Sequence, residues 1–201
     1  MRRVIRLTPP LSENDVRKLK IGDLIYLTGL IITARDAAHK RLLTLLRKGE
    51  RLPVNFKGLP LYHCGPVARK VNDRWAILAA GPTTSMRMEP YESEIIQNLG
   101  IRMVIGKGGM GDQTVKTMAE FGAVYGAFTG GAAVLAAKCI TNVKEVFWLD
   151  LGMPEALWVL EVKNFGPIII TIDSSGNNLY EKVLKEASNR YRKIIGLKFH
   201  L

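Results

Sequence analysis

Leu24-Ile25-Tyr26-Leu27-Thr28-Gly29-Leu30-Ile31-Ile32-Thr33 runs directly into Ala34-Arg35-Asp36-Ala37-Ala38-His39-Lys40-Arg41-Leu42-Leu43-Thr44-Leu45-Leu46-Arg47. The first half is dense in β-branched and aromatic residues, which pack on a pleated surface and lose rotamer freedom in a helix. It reads as strand followed by strand, with Gly29 as a bulge or hairpin point. In the second half Ala38, Leu42, Leu45 and Leu46 recur at helical spacing among basic residues, an amphipathic helix that Gly49 ends. A strand that passes straight into a helix is the unit from which α/β folds are built.

Working outward, the same alternation continues. Upstream, Pro9-Pro10 marks a turn, and Ser12 with Asp15 near the third helical position predicts a capped short helix that stops at Gly22. Downstream, strands are expected over 61–68 and 75–80, with Gly81-Pro82 closing the second. A helix from Pro90 to Leu99 has proline at its start and Gly100 past its end. Then come strand 103–105, helix 114–121, strand 124–126, helix 132–138, strands 145–148, 158–162 and 168–172, and a last amphipathic helix from Leu179 to Ile195. Interleaved elements with hairpin-like pairs at both ends predict one α/β domain over 1–201 with a mixed sheet.

Composition narrows the function classes. The 201 residues are 47% hydrophobic and 23% charged, enough to bury one sizeable core. Lys+Arg 29 against Asp+Glu 18 leaves a net charge of +11, which points to an anionic contact. The basic residues, including Arg2, Arg3, Arg6, Arg190, Arg192 and Lys193, are spread along the chain without a stacking or helix-turn-helix signature, which argues against nucleic acid. The charge-free stretch from Phe121 to Ala137 is glycine-interrupted and too short to span a membrane, and the N-terminus lacks a secretory apolar run. Cys64 and Cys139, 75 positions apart, form no disulfide, zinc or redox pattern, so a cytoplasmic setting is expected. His39, His63 and His200 share no metal-ligand spacing.

Three segments carry candidate chemistry. Arg35, between strand and helix, has the planar fork that grips a carboxylate, although a solvated helical face explains the same charges. Thr83-Thr84-Ser85-Met86-Arg87 follows a strand and brings hydroxyls and a guanidinium toward one small anion; a turn whose hydroxyls bond their own backbone is the plain alternative. Gly106-Lys107-Gly108-Gly109-Met110-Gly111 matches G-x-G-x-x-G, yet the following segment supplies no acidic residue for a ribose, and the P-loop pattern fails. It reads as a glycine-rich turn with exposed N–H groups and one lysine, suited to a carboxylate or phosphate, or as a plain tight turn before a helix.

In order along the chain, Thr33-Ala34-Arg35-Asp36-Ala37-Ala38-His39-Lys40-Arg41, Tyr62-His63-Cys64-Gly65-Pro66, Gly81-Pro82-Thr83-Thr84-Ser85-Met86-Arg87-Met88, Gly106-Lys107-Gly108-Gly109-Met110, Trp148-Leu149-Asp150-Leu151-Gly152-Met153-Pro154-Glu155-Ala156 and Asp173-Ser174-Ser175-Gly176-Asn177-Asn178 recur. As a set they resemble the β subunit, or C-terminal domain, of class I fumarate hydratase and the related L-tartrate dehydratase. The resemblance implies a swivelling β/β/α domain and the reversible hydration of fumarate to L-malate, with dehydration of L-tartrate as the alternative. It implies a [4Fe-4S] cluster held by three cysteines of a partner α subunit and not by this chain, with a homodimer or a heterotetramer as the expected assembly. Carried over by motif, Arg35, Thr83, Arg87 and Lys107 bind the dicarboxylate and Thr84 is the base. The physics agrees: a dianion in a closed site needs about two cations, because an unpaired buried carboxylate is expensive.

Overall fold

The computed structural model describes residues 3–195; Arg2 and His200 lie outside the described residues. In chain order the elements are β1 (Val4–Leu7), α1 (Glu13–Arg17), β2 (Leu24–Thr33), α2 (Asp36–Lys48), β3 (Pro60–Tyr62), β4 (Val67–Val71) and β5 (Arg74–Ala79). A 3-10 turn (Ser85–Met88) leads into α3 (Glu89–Leu99), then β6 (Met103–Gly106), α4 (Asp112–Phe121), β7 (Val124–Ala127) and α5 (Ala133–Lys138). The chain ends in β8 (Ile140–Phe147), β9 (Leu157–Ile172) and α6 (Leu179–Ile194).

The sheet is mixed, as expected. Its order is β1-β2-β3-β6-β7-β9-β8, and β2 also pairs with β9. Pairs among β1, β2, β3, β6 and β7 are parallel, whereas β9 runs antiparallel to β2, β7 and β8. Because β9 touches both β2 and β7, the five strands β2, β3, β6, β7 and β9 close a ring, which removes the unpaired edges an open sheet leaves. Residues of alternating parity then face two different cores. Ile25, Leu27, Tyr62, Met103, Ile105, Val124, Trp158 and Leu160 point into the ring. Ile32, Leu61, Val104, Tyr125, Leu157 and Val159 point outward against Leu42 of α2, Ile95 and Ile96 of α3 and Met118 of α4. Inside, Phe128 stacks on Phe165 at 5.0 Å between centroids, and Tyr62 meets both rings edge-on.

Several boundaries differ from the sequence reading, and ring closure explains most of them. Leu24–Thr33 is one strand of ten residues, with Gly29 at an irregularity in its pairing to β9 and no hairpin. Likewise 158–162 and 168–172 are two ends of a single strand of sixteen residues. It bends at Asn164 (φ 50°) and at Gly166, where a side chain would strike the carbonyl oxygen of Ile25. The expected strand 61–68 is split: β3 stops at Tyr62, and Val67–Ala68 belongs to the β4–β5 hairpin. Ser12 caps α1 with the predicted capping box, but the helix ends at Arg17 and not at Gly22. Among the described residues no helix is long and apolar enough to cross a membrane.

Candidate functional site

The parallel strands β2, β3 and β6 all end at one edge of the sheet, where parallel sheets present their loops to ligands. Arg35 sits between β2 and α2, His63 follows β3, and Lys107 follows β6. The segment before α3 is laid across these ends by backbone hydrogen bonds. Thr83 N donates to His63 O (2.7 Å), Lys107 N donates to Thr83 O (3.3 Å), and Ser85 N donates to Lys107 O (2.9 Å). Thr84 and Lys107 thereby form an isolated parallel bridge. The structure thus brings Thr83, Thr84, Arg87 and Lys107 together, with Arg35 on the adjoining loop; Thr84, Arg87 and Lys107 are exposed and Thr83 and Arg35 half-buried.

The two arginines are already paired with acids. Arg87 makes a two-pronged contact with Asp36, at 3.0 and 2.5 Å. The side chain of Arg35 lies against Gly65, with Nε 3.4 Å from Glu155. Among the described residues Lys107 makes no ion pair. Asp36 and Glu155 were not singled out as site residues in the sequence; they occupy the guanidinium groups of Arg87 and Arg35.

One expectation is corrected. The glycine-rich turn after β6 does not offer free N–H groups throughout: Gly111 N donates to Glu89 at 2.7 Å, and Thr114, at the start of α4, donates to the same carboxylate. The start of α2 is capped in the same manner, with Ala37 N donating to Glu155 at 2.9 Å. With these helix N-termini satisfied by the protein's own acids, anion binding here falls to cationic side chains.

Beneath the loops lies a polar cluster that local sequence spacing does not show. Glu92 of α3 places Oε2 2.9 Å from His63 Nε2 and 3.2 Å from His39 Nε2. His63 Nδ1 meets the Ser85 hydroxyl at 2.9 Å, Tyr125 OH donates to that hydroxyl at 2.9 Å, and His39 Nδ1 donates to the Arg35 carbonyl at 2.8 Å. All five side chains are fully buried. Burial holds the His63 imidazole below its ordinary value, against the opposing pull of the Glu92 carboxylate. Burial alone would raise the Glu92 carboxyl, yet the two imidazoles outweigh it and hold the group at about 2.

The pH dependence follows by linkage. Unfolding lets His63 take up a proton below its ordinary 6.5, and lets Glu92 take one below 4.5, so in both windows the unfolded state binds more protons than the folded one. Acidification therefore destabilises in two stages, the first below about pH 6.5 and the second below about 4.5. Thermal melts between pH 7.5 and 3 test this, with the lower stage absent in Glu92→Gln; a melting temperature that is flat between pH 7 and 5 contradicts it.

His39, His63 and Glu92 also present one ligand atom each within 4.8 Å, a grouping able to hold a metal. Each of those atoms is already engaged in the hydrogen bonds above. An iron–sulfur cluster does not fit this chain's own residues. Such clusters take three or four thiolates, whereas Cys64 is buried with its thiol pushed up to about 12, and Cys139 lies just past α5 on a separate element.

A family model described as Fumarase C-terminus matches residues 1–183. The chain is 47% identical over 188 residues to a protein of Methanocaldococcus jannaschii provisionally named L(+)-tartrate dehydratase subunit beta, covering 93% of this chain and 96% of the relative. It is 44% identical over 189 residues to the L(+)-tartrate dehydratase subunit beta of Escherichia coli, covering 94% and 92%. A longer protein of Geobacillus stearothermophilus, provisionally named fumarate hydratase class I, is 46% identical over 187 residues, which are 92% of this chain and 35% of that one. With a family model matched over residues 1–183 and relatives 44–47% identical over nearly its whole length, the chain belongs to the fumarase C-terminus family of hydro-lyases.

Proposed function

We propose that this chain is the dicarboxylate-clamping β subunit of an L-tartrate dehydratase, converting L-tartrate to oxaloacetate and water in a complex whose α subunit holds a [4Fe-4S] cluster. One observation carries the clamp: Thr83, Thr84, Arg87 and Lys107 are joined at one sheet edge by backbone hydrogen bonds, with Arg35 beside them. The choice of tartrate rests on the relatives that match this chain end to end. Hydration of fumarate to L-malate is the second reading, supported by the likeness to part of a fumarate hydratase. The chain acts as one domain over 1–201, and its two free thiols suit a reducing cytoplasm.

In this reading Arg87 and Arg35 exchange Asp36 and Glu155 for the substrate carboxylates, while Lys107 adds a third positive charge. Thr84 takes the proton from the carbon next to one carboxylate, and the electron pair left behind delocalises onto that carboxylate, where the cations stabilise it. A threonine hydroxyl is a weak base, so the neighbouring Lys107 is needed to favour its deprotonated form. Loss of hydroxide from the adjacent carbon gives an enol, which tautomerises to oxaloacetate. The leaving hydroxyl is served from the partner's side, which also covers the exposed clamp and excludes water.

Anaerobic co-purification with the α subunit, followed by assays for oxaloacetate from L-tartrate and malate from fumarate, tests the reading. Tartrate turnover by the complex, with none by this chain alone, is expected. Fumarate turnover without tartrate turnover transfers the assignment to the second reading, and recovery of neither partner nor activity overturns both. Within the active complex, Thr84→Ala should lower kcat about 10²–10⁴-fold with substrate affinity kept, and Thr83→Ala should act mainly on KM. The reverse split hands the proton to Thr83.

A further inference from the structure

The cluster under the site has a hydrogen-bond polarity that the contacts determine. The Arg35 carbonyl only accepts, so His39 Nδ1 carries a proton. Tyr125 gives its hydroxyl proton to Ser85, whose own hydroxyl proton then goes to His63 Nδ1. The N–H of His63 is therefore on Nε2 and donates to Glu92 Oε2. His39 Nε2 lies 3.2 Å from the same carboxylate oxygen. The other oxygen, Oε1, is buried with no partner.

A single carboxylate oxygen is thus wired to all three loops of the clamp. Through His39 it reaches the backbone of Arg35, and through His63 it reaches Ser85, next to Thr84. The backbone N–H of the same Ser85 holds the Lys107 carbonyl at 2.9 Å. Five buried polar side chains are an expensive way to fill space, since apolar residues of equal volume pack without desolvating a charge. Their placement at the junction of the loops is the specific feature, because a fully connected buried network fixes geometry in a way that apolar contacts do not.

We propose that Glu92, with His39 and His63, is a positioning hub: it holds the Arg35, Thr84 and Lys107 loops in register with one another, and so sets the geometry of the dicarboxylate clamp. The hub deepens the functional reading above and takes its consequence for catalysis from it. None of its members touches substrate; each acts through the loop it holds.

The test combines an activity assay with a readout that does not need activity. Glu92→Gln keeps size and hydrogen-bonding capacity but removes the charge, and Tyr125→Phe removes only the hydroxyl that donates to Ser85. In the complex, Glu92→Gln should lower kcat about 10²-fold and raise KM as well, because misplacement by about 1 Å costs that much. Tyr125→Phe, which leaves the fold intact even where the charge change does not, should lower kcat roughly tenfold, as expected for one lost hydrogen bond. Glu92→Asp should recover part of the loss. In the full chain alone, amide resonances of Arg35, Thr84 and Lys107 should all shift in Glu92→Gln, and those of Thr84 and Lys107 in Tyr125→Phe.

Unchanged kinetics per folded complex with only a lower melting temperature would make the cluster structural and overturn the hub. So would amide shifts confined to α3 and the two histidines. A metal ion bound stoichiometrically to the wild-type chain and lost in Glu92→Gln would also overturn it, since the same atoms would then be metal ligands. The spectra remain decisive even if the wild-type complex has no hydro-lyase activity, so failure of the functional reading and failure of the hub are separable.

Discussion

Lys107→Met, in the complex with the α subunit, is expected to lower kcat/KM by about 10²–10³-fold, the usual loss when one preorganised group facing developing negative charge is removed. Lys107 is the member of the clamp with no ion pair among the described residues, so its full charge is available to the substrate. Its backbone is held on both sides, by Thr83 O and by Ser85 N, so the chain at Lys107 is fixed before substrate arrives. The parallel bridge to Thr84 sets it beside the proposed base. Two consequences should separate: loss of a carboxylate contact raises KM, and loss of support for a deprotonated hydroxyl lowers kcat. Lys107→Arg, which keeps charge but changes its shape and reach, should restore KM more than kcat. A loss below tenfold in Lys107→Met would remove the residue from the site.

Arg87 is expected to behave differently, for a reason visible in its partner. Its fork is already occupied by Asp36, in a pair exposed enough to be worth about 0–1 kcal/mol. A substrate carboxylate displaces that pair at small cost, so the net gain from Arg87 is the difference between two similar contacts. Lys107 has no such competitor, which is why its replacement carries the larger effect.

How far the sequence reveals this site depends on the range over which each contact acts. That Arg35, Thr83, Thr84, Arg87 and Lys107 lie on loops at one sheet edge was legible because each sits at a strand end or turn. The capping box at Ser12 was legible for the same reason, since all its atoms lie within one turn of chain. The hub was not. His39 and His63 are 24 positions apart and Glu92 is 29 further on, so no local spacing connects them. They meet because parallel pairing of β2 with β3, and packing of α2 on α3, bring three separate segments to one point. Ser85 shows the limit within a single motif: it reads as a third hydroxyl beside Thr83 and Thr84, yet it turns fully inward while Thr84 faces out. The length of β9 was hidden similarly, because its bend serves pairing with β2, β7 and β8 at once.

Gly106→Ala is expected to be among the most damaging single-methyl changes in the chain, and the reason is Ser85. Gly106 ends β6 just before Lys107, where the glycine reads locally as the flexible start of an anion-binding turn. Its backbone φ is not in the left-handed region, so conformational freedom is not what the position demands. Space is: a Cβ at Gly106 would fall on the Ser85 hydroxyl, with Tyr125 OH at 3.2 Å and His63 Nδ1 at 3.3 Å. Ser85 cannot rotate away without giving up its bonds to His63 and Tyr125, and Tyr125 and His63 are fully buried. The added methyl group must therefore either break the network or push β6 away from the Thr84 segment. Overpacking of this kind costs about 1–3 kcal/mol, which denaturant melts of the chain will read. In the complex kcat should fall about 10²-fold. The variant Gly106→Ala/Ser85→Gly removes the obstructed hydroxyl and should recover most of the stability but little of the turnover, because space returns while the link from Glu92 to the Thr84 loop does not. Recovery of both would mean that Ser85 only fills space; recovery of neither would mean that the methyl group obstructs the Lys107 loop directly.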